Sequence, residues 1–349
     1  MVATLVAATS TNVAAGMDAT GLQISIAGDM VAEYGLADDS SARERLSSRA
    51  LEFMFFAPVD HRFDAMASGT AHEEAGQVFF ETHEMWIGSS KLIPRTRFRI
   101  GQMFPAFGRL QRFHQHDWPF ISAPEVQARF FGQEGVIDTG GEFSYLLPIP
   151  MFLEWTAGAT SGWTFGHSHD EGERPKVPTH FSRLATYVDL GNLGGSEIGL
   201  NYVGRTSAEE TEMKIFGLDL VAKKRNGRTL TYLLQSETWL REEKRKNSET
   251  ERILGGYVYA QYGINANWQI GLRLDALTVL SQENALGEKE DNLNFAWVPT
   301  LTYRSSEFAT FRLAYNNKRD SVNNKTVNED SYIQFQVTFI LGAHPAHTF

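Results

Sequence analysis

The sequence between Tyr332 and Leu341 reads YIQFQVTFIL, in which apolar and polar side chains alternate at nearly every step. Phe335 and the residues two positions to either side fall on one face, whereas Gln334 and Gln336 fall on the other. A period of two residues is that of a β-strand, and here one face is apolar and the other polar. The residues predicted to face lipid are Ile333, Phe335, Val337 and Phe339.

The same alternation recurs along the chain and predicts about sixteen strands. Strands of soluble β-sandwiches average about five or six residues, whereas a tilted strand needs about ten to cross a bilayer. Most of the predicted segments reach the second length. They lie near 22–35, 50–58, 62–72, 77–88, 96–105, 141–148, 151–161, 180–190, 196–205, 212–224, 228–241, 252–263, 267–280, 293–304, 308–317 and 331–341.

Two kinds of connection take turns between these segments. Tight turns at one rim and longer polar loops at the other are typical of transmembrane barrels, and a soluble sandwich has no reason to sort its loops by length. We therefore predict an all-β fold, a closed antiparallel transmembrane β-barrel of about sixteen strands. The short connections include 148–150, 225–228 and 305–307, and the long ones include 37–48, 162–179, 281–291 and 319–330.

Composition excludes several other classes of protein. The chain has 349 residues, no cysteine and a net charge of -10. Without thiols it has neither a disulfide framework nor thiolate metal chemistry. Its acidic balance argues against nucleic acid as a partner, because phosphates require clustered Lys and Arg. No apolar run reaches the roughly 18 residues of a transmembrane helix.

The first residues differ from the rest of the chain. Residues 1–15 are mostly small and apolar and end in Val13, Ala14 and Ala15, which resembles the site where an export signal is cleaved. The first basic residue is Arg43, so the positively charged start of such a signal is missing. We interpret residues 1–15 as a signal-peptide remnant, with a flexible tail as the alternative, and residues 16–349 as a single outer-membrane barrel domain.

The longest connection covers residues 104–140 and is the third loop on the long-loop side. Its many aromatic residues indicate that it packs, and a barrel of about sixteen strands has a lumen wide enough to hold it. We predict that this loop folds into the lumen and forms the constriction of a pore. The predicted constriction residues are Arg109, Arg112, His114, His116 and Asp117.

Two stretches in this part of the chain carry a resemblance to known proteins. Residues 81–88 read ETHEMWIG, and residues 97–109 read RFRIGQMFPAFGR. Together they resemble Gram-negative outer-membrane porins of the phosphate-selective type. The stretch HQHDWPF at 114–120, followed by GGEFSYLLP at 140–148, resembles a related and less characterised outer-membrane branch that is sometimes labelled zinc-regulated or receptor-like.

The resemblance covers roughly residues 80–150 and implies a fold and an assembly. It implies a homotrimeric channel of sixteen strands in the outer membrane of a Gram-negative bacterium, with lipid and small solutes or ions as its partners. The chain departs from the phosphate-selective type because it has no lysine-rich constriction.

A short motif that suits metal ions occurs twice. Alternate residues of an extended segment point the same way, so a His-x-His pair offers two nitrogens to one divalent ion. Both copies lie on loops of the same predicted rim, where they would form a weak metal contact; ordinary solvated histidines are the alternative. No other cofactor is expected. The candidate ligands are His114, His116, His167, His169 and Asp170.

The predicted lumen carries charges of both signs. Arginines in a narrow pore favour anions, and Arg109 with Arg112 would make the constriction basic. The alternative is that these two arginines pair with loop carboxylates such as Glu125 and Glu134. Four further arginines are predicted to line the pore: Arg97, Arg99, Arg273 and Arg312.

These features predict an outer-membrane porin for passive diffusion of small hydrophilic solutes or ions, with a preference for anions. The alternative function is an outer-membrane receptor or uptake barrel for a metal ion or metal complex, and a soluble secreted β-protein is a third hypothesis. No serine, histidine and carboxylate fall at a spacing that indicates a catalytic triad, so we expect no enzymatic activity.

Overall fold

The computed structural model of the protein describes residues 21–37, 40–74, 77–163, 165, 172–246, 249–281 and 291–342. The predicted signal-peptide remnant at 1–15 lies outside these residues. Within them, sixteen antiparallel strands close into one barrel. The strands are β1 Gln23–Gly35, β2 Leu46–Pro58, β3 Asp64–Glu74, β4 Gln77–Ser89, β5 Thr96–Met103, β6 Asp138–Leu146, β7 Leu153–Thr160, β8 Val177–Asp189, β9 Gly195–Thr206, β10 Glu212–Asn226, β11 Thr229–Lys244, β12 Thr250–Gly263, β13 Trp268–Val279, β14 Asn292–Arg304, β15 Ala309–Val322 and β16 Lys325–Gly342.

Pairing of the first and last strands closes the ring. β1 pairs with β16 from Ser25 opposite Gly342 to Gly35 opposite Tyr332, and with β2 on its other side. Closure removes both sheet edges, so no described strand has a row of unpaired backbone groups along one side. The predicted closed barrel is therefore confirmed. None of the helices in the described residues is long and apolar enough to span a membrane.

The alternation on β16 has the predicted orientation. Phe335 is 41% exposed on the outer face, whereas Gln336 is fully buried in the lumen. Gln336 accepts a hydrogen bond from Arg312 Nη1 (2.7 Å), and its own amide donates to Asp29 Oδ1 (2.9 Å). The apolar side chains thus face outward and the polar network faces the lumen.

The prediction of a long loop at residues 319–330 is wrong. The segment 319–330 is a continuous hairpin, in which β15 reaches Val322 and β16 starts at Lys325. Asn323 and Asn324 form the two-residue turn, both with positive φ (50° and 61°), which is typical of a tight hairpin. The apolar alternation stops below this hairpin, but polar cross-strand contacts such as Arg319 with Glu329 (3.0 Å) extend the strands.

The predicted loop into the lumen is confirmed, with a small change in its bounds. It covers residues 104–137, because Asp138 to Gly140 already belong to β6. This third loop contains two 3₁₀ turns, Leu110–Arg112 and Gln115–Asp117, and one helix, α1 Glu125–Phe131. Its buried apolar residues pack against inward-facing side chains of β8 to β13.

Candidate constriction site

Carboxylates of the barrel wall hold the backbone of the third loop. The N–H groups of Arg109 and Leu110 both donate to Glu237 Oε1 on β11, the second at 3.4 Å. The N–H of Ala106 donates to Glu142 Oε2 on β6 at 2.8 Å. A loop inside a barrel has no neighbouring strand to accept its N–H groups, and an unpaired buried N–H is costly. These wall carboxylates supply the missing acceptors.

An aromatic cluster fixes the loop against one side of the barrel. The ring centroid of Phe131 lies 4.9 Å from that of Trp239 and 5.2 Å from that of Phe107. Phe120 lies 5.3 Å from Tyr259 in an edge-to-face arrangement, which aromatic pairs prefer. Each of the five side chains is at most 2% exposed. We call these five residues the aromatic seat.

A glycine is required where the loop meets this cluster. Gly108 has a φ of +67°, and a Cβ there would lie 2.7 Å from the ring of Trp239 and 2.8 Å from Glu237 Oε1. Any side chain at this position would strain the backbone and push into both the aromatic seat and the carboxylate that holds Arg109.

The other side of the loop meets ionisable residues of β2 and β4. His114 Nδ1 lies 2.8 Å from Glu52 Oε1 on β2, and its Nε2 lies 3.0 Å from Glu84 Oε2 on β4. His116 Nδ1 lies 3.3 Å from Glu52 Oε2, and His83 Nδ1 on β4 lies 3.8 Å from Glu52 Oε1. We call these five residues the ionisable seat.

The carboxylates of the ionisable seat change the acid–base behaviour of the loop histidines. Burial disfavours the charged form of His114, but Glu52 and Glu84 outweigh burial and raise the pKa of His114 well above its usual value. Burial has the same opposing effect on His116, where Asp117 and Glu52 raise the pKa. The carboxylates therefore favour the protonated form of both imidazoles when no other cation lies between them.

A β-bulge in β4 brings two neighbouring residues to the same face. Glu84 pairs with Ser68 and Thr82 pairs with Gly69, so His83 is skipped in the register. His83 and Glu84 are consequently both buried, at 6% and 8% exposure. In a regular strand one of the two would point to lipid, so the bulge is what builds this part of the site.

The two arginines of the predicted constriction lie elsewhere along the loop. Arg112 Nη1 forms an ion pair of 2.7 Å with Glu197 on β9. Glu197 also forms an ion pair of 2.9 Å with Arg183 on β8. The guanidinium of Arg109 lies 4.5 Å from the ring centroid of Phe113. Burial, together with the neighbouring charge of Arg112, lowers the pKa of Arg109 to about 10, so it stays charged at neutral pH.

The proposed loop partners of these arginines have other contacts. Glu125 forms an ion pair with Lys318 on β15 (2.6 Å), and Glu134 Oε2 lies 3.8 Å from His83 Nε2. Arg112 therefore pairs with a carboxylate of the wall, and the predicted alternative, in which Arg109 and Arg112 pair with loop carboxylates such as Glu125 and Glu134, stays a prediction.

The four arginines predicted to line the pore differ in their partners. Arg273 is fully buried and bonds Asp275 at 2.9 Å. Arg99 pairs with Glu142 (3.0 Å), and Arg97 lies 3.9 Å from Glu154. Arg312 is hydrogen-bonded to Gln336 and has no ion pair among the described residues. Three of these charges are thus matched by a carboxylate and one is not.

The predicted site residues therefore form two groups, with Arg109 and Arg112 near β9 and β11, and His114 and His116 against β2 and β4. Asp117 Oδ2 lies 3.4 Å from His116 Nε2. Whether these residues form the narrowest part of a pore stays a prediction. The second metal motif, His167, His169 and Asp170, lies outside the described residues, so the expected meeting of the two motifs stays a prediction too.

Sequence reasoning did not connect the loop with the wall residues that complete both groups: Glu52, His83, Glu84, Glu197 and Glu237. One signal could have revealed the bulge. Two adjacent ionisable residues, His83 and Glu84, occur inside a predicted membrane strand, and strict alternation would expose one of them to lipid at high cost. The partners of Arg112 and the loop N–H groups depend on the depth at which the loop sits, which no local pattern encodes.

Comparison with known proteins supports the fold. The chain matches no family model. It is 29% identical over 341 residues to an uncharacterised protein of Aquifex aeolicus, covering 85% of this chain and 69% of that protein. It is similar in structure to an anion-selective porin from Comamonas acidovorans, with a TM-score of 0.63, 11% identity, and coverage of 92% and 99% of the two chains. It is also similar to the trimer form of in-vitro folded OmpT, an outer-membrane protein of Vibrio cholerae, with a TM-score of 0.61, 10% identity, and coverage of 93% and 100%.

At this level of identity the structural likeness concerns the fold alone. The fold is that of a sixteen-stranded bacterial outer-membrane barrel, as predicted. The resemblance to the phosphate-selective type and to the zinc-regulated branch is not resolved by these neighbours and stays a prediction, as does the expectation that the chain is not an enzyme.

Proposed function

We propose that the protein is an outer-membrane porin through which small hydrophilic solutes or ions diffuse passively. The observation that carries this proposal is the third loop, which lies inside a closed barrel and is held by both walls. A loop fixed in this way narrows the lumen without a separate plug domain, which larger transporters of about 22 strands contain.

Polar clefts on both sides of α1 support an aqueous path. One cleft of about 400 Å³ lies between the loop and the wall formed by β1, β2, β15 and β16, and its lining includes Glu33, Arg49 and Lys318. Another of about 430 Å³ lies beside α1 against β9 and β11, and its lining includes Arg205 and Arg241. Solutes that enter such clefts would pass charged side chains of the wall beside the loop.

The proposed preference is for anions, and the wall arginines support it best. Arg304 on β14 and Arg312 on β15 form no ion pair among the described residues. By contrast, Glu197 neutralises Arg112. Fixed cations that are not in direct contact with a carboxylate attract anions into a pore. We therefore assign the anion preference to Arg304 and Arg312 more than to Arg109 and Arg112.

Recordings in a planar lipid bilayer test this function. The purified protein should insert as stepwise conductances, and its reversal potential in a salt gradient should indicate anions. Arg304→Gln with Arg312→Gln should move that potential toward cations, and Arg109→Ala with Arg112→Ala should move it less. Arg319→Gln, which removes an arginine from the exposed β15–β16 hairpin, is the matched control and should change nothing. A barrel that inserts without conducting would contradict the proposal.

We further propose that the protein is a homotrimer in the outer membrane, where lipid covers its outer face. The trimer form of the similar OmpT chain supports this assembly. An apolar groove of about 460 Å³ on the outer face of β2 to β5, lined by Phe55, Ala57, Ala65 and Ala67, offers a surface for a neighbouring copy. Fractionation of cell membranes, followed by native mass determination in detergent, measures both points.

A further inference from the structure

We infer that Glu52, His83 and His114 form a site for one divalent first-row transition-metal ion, best suited to Zn²⁺, that fastens the third loop to β2 and β4. The inference concerns the position of the loop and does not depend on whether the barrel conducts. The three residues come from three separate parts of the chain: a strand, a bulged strand and the loop.

The geometry brings the donor atoms together. One ligand atom from each of the three residues lies within 4.8 Å of the other two. Glu52 Oε1 is 2.8 Å from His114 Nδ1 and 3.8 Å from His83 Nδ1. In a tetrahedral site with bonds of about 2.0–2.2 Å, neighbouring donor atoms lie about 3.4 Å apart. That value falls between the two distances, and His83 Nδ1 would exchange its contact with Thr70 Oγ1 (3.1 Å) for the ion.

Unsatisfied buried atoms point into the same space. Glu52 Oε1 and His114 Nδ1 are buried 2.8 Å from each other, but neither atom has a well-aligned hydrogen bond among the described residues. Glu52 is 1% exposed and His114 is 8% exposed. A buried polar atom without a well-directed partner is costly, and a shared cation would satisfy both atoms at once.

The donor set selects the type of ion. Two imidazoles and one carboxylate suit Zn²⁺ and its first-row neighbours, whereas Ca²⁺ and Mg²⁺ require oxygen ligands. Further groups hold the ligands in place: Glu84 bonds His114 Nε2 at 3.0 Å, and Glu81 bonds His83 Nε2 at 3.2 Å. Carboxylates that hold the second nitrogen of a ligating histidine are typical of zinc sites.

The burial of the site indicates a structural ion. All three side chains are buried where the third loop meets the barrel wall. A receptor or uptake barrel would need its metal ligands within reach of the external solution. The site therefore supports attachment of the loop and gives no support to the uptake alternative.

A second group of possible ligands shares one histidine. Glu81, His83 and Glu134 also have donor atoms within 4.8 Å of one another. Glu81 and Glu134 are only half-buried, and this group offers one nitrogen and two oxygens, which is the weaker set for Zn²⁺. Variants of the two groups therefore separate the two sites.

Calorimetric titration of the chelator-treated, folded barrel in detergent with zinc chloride tests the site. We expect one ion to bind per chain and to raise the Tm. Glu52→Gln and His114→Gln should each weaken binding by at least about tenfold. The same variants should lose the rise in Tm. Heat-modifiable migration in gel electrophoresis shows whether each variant is folded.

Two controls decide between this site and its rivals. Glu134→Gln should bind zinc as the unchanged protein does, and so should His167→Ala with His169→Ala, which removes the other His-x-His motif. Wild-type binding in folded Glu52→Gln and His114→Gln would overturn the inference. Loss of binding in either control, or the absence of any binding by the unchanged protein, would also overturn it.

Discussion

The two seats hold the third loop in the same lumen by different kinds of contact, apolar packing in one and ionic contacts in the other. The aromatic seat is a buried apolar cluster in which the rings of Phe131, Phe107 and Trp239 contact one another. The ionisable seat consists of His114 and His116 around one carboxylate, Glu52. Close-packed apolar contacts stabilise in proportion to buried area, whereas buried ion pairs offset much of their attraction by losing hydration.

The difference indicates a division of roles between the seats. We expect the apolar contacts at the aromatic seat to supply most of the free energy that keeps the loop folded. We expect the ionisable seat to set where the loop lies against β2 and β4. How firmly it holds the loop depends on whether protons or a metal ion lie between its side chains. A loop held by the aromatic seat alone would be stable, but neither a proton nor a metal ion could change how it is held against β2 and β4.

The largest expected effect comes from truncating the aromatic seat. Phe131→Ala leaves a cavity between Phe107 and Trp239, and large-to-small substitutions of buried Phe cost about 3–5 kcal/mol. We expect a loss of that size in the free energy of unfolding, measured by urea titration of the barrel in lipid vesicles. The freed loop should also become sensitive to added protease.

The matched control for that variant is Phe335→Ala on the lipid-facing side of β16. It removes the same side chain from a position that contacts lipid and leaves the loop untouched, so protease sensitivity should not change. An equal gain in sensitivity for both variants would show that the loop does not depend on the aromatic seat.

A glycine pair measures how tightly the aromatic seat is packed. Gly108→Ala should cost about 2–4 kcal/mol, since it adds backbone strain at positive φ to a clash with Trp239. Gly227→Ala, at a φ of +57° with no atom within 4 Å of the new Cβ, carries the strain alone. The difference in unfolding free energy between the two variants isolates the clash. Equal costs would mean that the loop moves aside without penalty.

The ionisable seat should contribute less to stability. Glu52→Gln, studied with a chelator present so that no metal contributes, leaves His114 and His116 without their shared anion. Because each imidazole can then lose its proton, no buried charge is left unpaired, and loss of a buried polar partner costs about 1–3 kcal/mol. Urea titration measures this value, and Glu329→Gln on the exposed β15–β16 hairpin is the control, with an expected change near zero. A cost for Glu52→Gln above that of Phe131→Ala would reverse the order of the two seats.

The two seats were not equally visible in the sequence. The period of two along Tyr332 to Leu341, and its repetition, predicts the barrel because lipid on one face and water on the other impose that pattern. The aromatic residues of the third loop likewise predict a packed loop. The carboxylate partners, Glu52 and Glu197, are brought to the loop by barrel closure and by loop depth, which are properties of the whole fold.

Two features that the sequence analysis did not predict, the hairpin at 319–330 and the bulge at His83, have the same physical origin. The strands at 319–330 continue above the apolar belt, where hydrogen bonds between polar residues replace contact with lipid, so the pattern used to find strands no longer applies. The bulge at His83 breaks the period itself. Alternation therefore predicts the part of the barrel that lipid constrains and fails where polar contacts determine the structure.

The smallest expected effect tests whether the seats act on one rigid loop. Phe131 and Glu52 share no contact among the described residues, so their substitutions would add within about 0.5 kcal/mol if the seats were independent. If the loop moves as one body, Phe131→Ala already frees part of it and Glu52→Gln then costs less.

We expect the double variant to fall short of the sum of the single costs by about 1 kcal/mol, within the range seen for coupled residues. The pair Phe131→Ala with Glu329→Gln should be additive, because the hairpin residue does not contact the loop. Four urea titrations in chelator give the coupling free energy of each pair. Simple additivity for Phe131 with Glu52 would mean that the loop consists of two independently held halves, and an ion bound at β2 and β4 would then leave the aromatic seat unaffected.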